Sequence, residues 1–115
     1  REHEILEEVK PEPGELILNK TTIGAFNSTN LDSILWSRAI KYLLFTGIST
    51  NMCVETTARD GADRGFRCVL VEDGCGASAQ SYHDAALITF QRLFGKVKSS
   101  QEIIRELEEG MTKGA

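Results

Sequence analysis

The chain has 115 residues, enough for one small domain and too few for two. A hydrophobic share of 41%, a charged share of 26% and a net charge of −4 are ordinary for a globular protein and leave no basic stripe for nucleic acid. Apolar runs of about five residues fall far short of a membrane span, and no signal-peptide pattern follows Arg1-Glu2-His3-Glu4. Three cysteines at uneven spacing argue against a disulfide scaffold and for a reducing, cytoplasmic setting. With no Cys-x-x-Cys pair and only His3 and His83 as histidines, no metal site and no cofactor is expected. An opening Arg in place of Met suggests a processed product or a piece of a longer chain.

In chain order, residues 1–14 are charged and end in the breaker cluster Pro11-Glu12-Pro13-Gly14, with 1–13 as a leader segment. Glu15–Asn19 reads as a short buried strand and Lys20–Ser28 as a polar loop. Thr29 and Asp32 can open a helix whose apolar face is Leu31, Ile34, Leu35 and Ala39. Residues 42–46 make a second strand. Cys53–Arg64 make a helix, with Gly65 as its stop. Cys68-Val69-Leu70-Val71 is apolar without alternation, as for a strand buried on both faces.

Asp73–Ser78 reads as a Gly-rich turn, Ser81–Phe94 as a helix and Lys96–Lys98 as a short edge strand. Ser99 and Glu102 form a capping box for a last helix with Ile103, Ile104 and Leu107 inward, and residues 110–115 read as a frayed tail. Strands alternating with helices predict a parallel sheet covered on both faces, with the site at the carboxyl ends of the strands. Lys20, the Gly47–Cys53 passage and Asp73 all follow strands, so all three fall at that edge.

Cys53 stands where a strand stops and a helix starts. There, unpaired first-turn amides can stabilise a thiolate. Cys68, inside an aliphatic strand, and Cys75, in a Gly-rich turn, read as structural thiols. Lys20 could assist a thiolate at the same rim, against the ordinary fate of a solvated lysine. His83 reads as an exposed first-turn histidine sooner than as the base of a Cys–His pair. Arg59 with Asp63 and Asp60 with Arg64 are spaced as ion pairs on a solvated helix face.

The passage Gly47-Ile48-Ser49-Thr50-Asn51-Met52-Cys53-Val54-Glu55-Thr56-Thr57-Ala58-Arg59-Asp60, with Gly65-Phe66 and Val69-Leu70-Val71-Glu72-Asp73 after it, resembles the cysteine hydrolases of the isochorismatase-like superfamily. Upstream, Lys20-Thr21-Thr22-Ile23-Gly24-Ala25-Phe26-Asn27-Ser28-Thr29-Asn30-Leu31 resembles that family's lysine segment, so the likeness covers roughly residues 14–108. The resemblance implies a three-layer α/β/α fold with a Rossmann-like parallel sheet, and an Asp–Lys–Cys triad. It makes Cys53 the nucleophile and Lys20 the triad lysine. It places a cis peptide at Ile48–Ser49, an oxyanion hole at the Ser49 and Cys53 amides, and pocket residues at Phe26 and Asn51. Thr50-Asn51 and Val54-Glu55 are similar to the ureido and carbamoyl amidohydrolases, which implies hydrolysis of C–N bonds in small amide or ureido substrates through a thioester.

The family's apolar-run–Asp-x-Gln segment has no counterpart here, and Asp73 matches a later strand. The chain therefore reads as one partial domain, residues 1–115, lacking the N-terminal strands and the triad aspartate. Such a piece is expected to pair with the missing segment or to form a homo-oligomer, and to be inactive alone. The competing reading is a non-catalytic interaction module that kept the fold.

Overall fold

A computed structural model describes residues 5–113 of the chain. His3 lies outside them, as do the last two residues of the predicted tail. A single 3-10 turn, Glu7–Val9, precedes an irregular stretch. Four helices and three strands follow: α1 Leu31–Ser37, β1 Tyr42–Ile48, α2 Glu55–Asp63, β2 Arg67–Gly76, α3 Gln80–Leu93, β3 Lys96–Lys98 and α4 Ser100–Lys113. The strands pair in parallel in the order β1-β2-β3.

Helices flank this sheet on both sides. Gly61 of α2 comes so close to the sheet that a Cβ there would lie 3.1 Å from Cys68 Sγ and 3.5 Å from Leu43. The core on that side gathers Phe26, Leu35, Val54, Ala58, Phe66, Cys68, Leu70 and Phe90. Phe66 stacks between Trp36 and Phe26, with ring centroids at 4.4 and 6.1 Å. On the opposite side α4 lays Ile103 and Leu107 toward Leu44 and Val69, and Lys98 of β3 pairs with Glu106 of α4 at 2.8 Å.

The α/β architecture and the parallel sheet are those the sequence predicts, with local differences; residues 110–113, expected in a frayed tail, belong to α4. Glu15–Asn19 is not a strand. Leu16, Ile17 and Leu18 are exposed, and among the described residues nothing hydrogen-bonds to that run as a sheet neighbour. An apolar run calls for burial without naming the surface that buries it, and here β1 is an edge strand of the described sheet. Conversely, the Gly-rich segment after Val71 is no free turn but the second half of β2. Pairing slips between Phe45↔Leu70 and Gly47↔Cys75. Gly74 makes that bulge possible, since a Cβ there would lie 2.9 Å from Thr46 Cγ2. Because of the bulge, Gly47 and Ile48 lie beside Cys75 and Gly76, just before α3 begins.

Both α1 and α2 end in a Schellman motif. In α2, Phe66 N–H donates to Gly61 and Gly65 N–H to Ala62, with Gly65 at φ +95°. In α1, Ile40 N–H donates to Leu35 and Ala39 N–H to Trp36, with Ala39 at φ +56°. Ala39, expected on the apolar face of the helix, is thus the residue that turns the chain out of it. At the other end Thr29 does serve α1, its hydroxyl accepting the Leu31 N–H at 3.1 Å.

Candidate active site

After β1 the backbone does not enter α2 directly. The Ile48–Ser49 peptide is cis, and Thr50–Val54 form a wide turn with i→i+5 hydrogen bonds. In that turn Ser49 O accepts from Met52 N–H and Val54 N–H, and Thr50 O accepts from Glu55 N–H. Turns of this width inside helices recur at functional sites because they re-aim backbone groups and side chains. Cys53 sits in it, half-buried, with Asn51 also half-buried and Met52 exposed. Thr50 and Val54 are the buried anchors of the turn.

The lysine segment reaches this turn through Thr57. Its hydroxyl donates to Cys53 O at 2.7 Å and accepts the Ala25 N–H at 3.0 Å. Gly24 passes close to α2, where a Cβ would lie 3.1 Å from Thr56 Cγ2 and 3.2 Å from Asp60 Oδ2. Ser28 Oγ closes the loop by accepting from Thr21 N–H and bonding Thr22 Oγ1. Lys20 lies at the entry of this loop, exposed, its ammonium donating to Thr22 O at 2.9 Å. Among the described residues no hydrogen bond or ion pair joins Lys20 to Cys53, and no carboxylate bonds to either. The structure therefore ties the two segments together while the lysine head is bonded within its own loop, to Thr22 O.

Other expected residues take different places. The Phe26 ring, expected at the pocket, is packed in the core at 4% exposure, beneath the Arg64 guanidinium at 4.7 Å, because the short loop drives it against Phe66. Asp73 is occupied elsewhere: its carboxylate accepts the Ser100 N–H at 2.7 Å and the Ser100 hydroxyl, capping α4. Those two donations hold its carboxyl below the usual range. The expected pairs on α2 do not form. Arg59 bonds to Glu55 at 3.2 Å and lies over Phe94 at 4.8 Å, and Arg64 turns to Asp32 at 3.9 Å, because each arginine covers an aromatic ring.

The two remaining thiols are insulated. Burial pushes the Cys68 thiol up to about 11. Cys75 is also raised, by burial first, while its Sγ donates to Phe45 O at 3.6 Å. His83 is half-buried, neither an exposed residue nor a partner of Cys53. Its Nδ1 lies 2.7 Å from Thr50 Oγ1. Thr50 and Thr57 did not stand out in the sequence as functional residues, and His83, expected to be exposed, is instead bonded to Thr50. Only Thr57 carried a signal, as a threonine one helical turn beyond Cys53, where a hydroxyl can bond back to the i−4 carbonyl.

A half-buried thiol in a wide turn at the carboxyl end of a parallel strand, joined through a threonine to a lysine loop, defines a family of folds. The isochorismatase domain family matches residues 1–102, and the chain belongs to it. A ureidoacrylate amidohydrolase, RutB of Enterobacter sp. (strain 638), is 39% identical over 99 residues, covering 85% of this chain and 43% of that protein. The solved structure of a cysteine hydrolase from Pseudomonas syringae pv. phaseolicola 1448A superposes with a TM-score of 0.89 at 30% identity, covering 92% of this chain and 55% of that one. The nicotinamidase SaPncA from Staphylococcus aureus superposes less fully, with a TM-score of 0.68 at 30% identity over 70% of this chain and 50% of that one. The chain spans about 43% of the length of the curated relatives it matches. Among the described residues no helix is long and apolar enough to cross a membrane.

Proposed function

We propose that the chain carries the nucleophilic half of a cysteine amidohydrolase acting on small linear amides, with ureido compounds of the ureidoacrylate kind as the substrate class. The observation that carries this reading is Cys53 itself, a half-buried thiol in the wide turn between β1 and α2. Its thiolate attacks the carbonyl carbon, forming a C–S bond. The carbonyl oxygen takes the negative charge, between the Ser49 and Cys53 N–H groups. Donors fixed before charge develops are what such an intermediate needs. Collapse expels the nitrogen, protonated, as ammonia or an amine and leaves the acyl or carbamoyl group on sulfur, and water then cleaves that thioester. Lys20 swings from Thr22 to supply positive charge. The similarity to the ureidoacrylate amidohydrolase supports the substrate class.

A proton shuttle is still required, and we assign it to a segment that pairs with the open edge of β1, since no carboxylate among the described residues bonds to Cys53 or Lys20. The chain by itself then releases no ammonia from ureidoacrylate. A non-catalytic interaction module is the second reading, favoured by the same open edge. Iodoacetamide at neutral pH separates the two. Selective labelling of Cys53 ahead of Cys68 and Cys75 is the expected result. Equally slow labelling of all three thiols would overturn the catalytic reading in favour of the module.

A further inference from the structure

His83 plays no part in the chemistry above, yet it reaches the site from a different element. Thr50 follows Ser49 directly and precedes Cys53 by three residues, so it lies between the two proposed oxyanion donors. Its side chain is fully buried, with none of its surface exposed. A buried hydroxyl left without a partner is costly. Among the described residues its side-chain partner is His83 Nδ1 at 2.7 Å, with the tautomer deciding which atom donates. His83 stands in the first turn of α3, its N–H bonded to Ala79 O. That helix is held against the core by Ala86 and Phe90, the latter fully buried. The bulged β1–β2 pairing brings the start of α3 beside the passage by setting Ile48 against Gly76.

We propose that His83 is a positioning residue, whose hydrogen bond to Thr50 holds the Ser49–Cys53 passage so that its two backbone N–H groups converge on one oxygen. The inference rests on the reading of Cys53 as nucleophile. Removing the bond leaves Cys53 in place but lets Thr50 rotate, and the donors lose their common aim.

Two reagents separate this role from a general one. Acylation of Cys53 by 4-nitrophenyl acetate forms a C–S bond, passes through an oxyanion and releases 4-nitrophenolate. Alkylation by iodoacetamide forms a C–S bond and releases iodide with no oxyanion. Both are run on the 115-residue chain and read at Cys53 by peptide mass, with Cys75 as internal reference. His83→Leu and Thr50→Val are expected to lower the ratio of acylation to alkylation about tenfold, a part of what losing one donor costs. They are also expected to speed amide exchange at Ser49–Val54 while leaving Leu70 and Phe90 unchanged. His83→Asn, which returns a polar atom near the Nδ1 position, is expected to restore both.

An unchanged ratio in both variants would overturn the proposal. So would exchange that rises evenly through Leu70 and Phe90, since that marks a residue needed only for folding. Should wild-type Cys53 react with neither reagent ahead of Cys75, the nucleophile reading fails separately. Exchange at Ser49–Val54 then still decides whether His83 holds the passage.

Discussion

Cys68 shows how one side chain sets a pH limit. It is 3% exposed, its Sγ near Phe66 O, and burial lifts its thiol from an ordinary 9.0 to about 11. A raised folded value means that the folded chain holds the neutral thiol. The stabilisation is complete below pH 9.0 and is lost as pH climbs toward about 11. Two units correspond to about 2–3 kcal/mol. Urea unfolding at a series of pH values is expected to show stability falling over that interval. Cys68→Ala, less stable at pH 8, is expected to fall less steeply by about the same amount.

At the scale of elements, the two Schellman endings invite a direct comparison. Gly65 closes α2 at φ +95°, and Ala39 closes α1 at φ +56° with the same pair of hydrogen bonds. Only glycine takes that conformation without a Cβ penalty. Ala39→Gly is therefore expected to raise stability by about 1 kcal/mol, seen as an increase in thermal midpoint. The same pair shows what a sequence can display. Gly65 announced its helix end because glycine is the usual residue there, whereas Ala39 read as one more apolar position on a helical face. β1 and the apolar half of β2 were legible from apolar runs followed by glycine, and α2 from its glycine stop. The Glu15–Asn19 run was not, since its pattern records a need for cover and says nothing of the neighbour that supplies it. Cys53 and its turn were legible as a motif. The Thr50–His83 bond was not, for the two residues stand 33 apart and neither is unusual where it stands.

For the whole molecule the exposed apolar surface matters most. On the α4 side a groove of about 580 Å³ runs between β1 and α4, lined by Tyr42, Leu44, Val69, Ile103 and Leu107. Tyr42, Leu44 and Leu107 are exposed there, and the edge of β1 beside them is open. Open strand edges and contiguous apolar patches attract other chains. The 115-residue chain is expected to associate with rising concentration in sedimentation velocity, and Leu44→Lys, which puts a charge in the groove, to weaken that association. Indifference of the sedimentation profile to this substitution would mean that the groove is not the adhesive surface.

The hydroxyl of Thr57 has a consequence for how the site comes and goes. One oxygen serves Cys53 O and the Ala25 N–H together, so neither segment can leave without disturbing the other's hydrogen bond. The Ala25 amide is thereby a gauge of the cysteine turn. Its exchange with solvent is expected to follow the opening of a structure that begins 25 residues further along the chain, at Thr50. The shared hydroxyl couples the lysine loop to the cysteine turn, so damage to either is expected to be felt in the other.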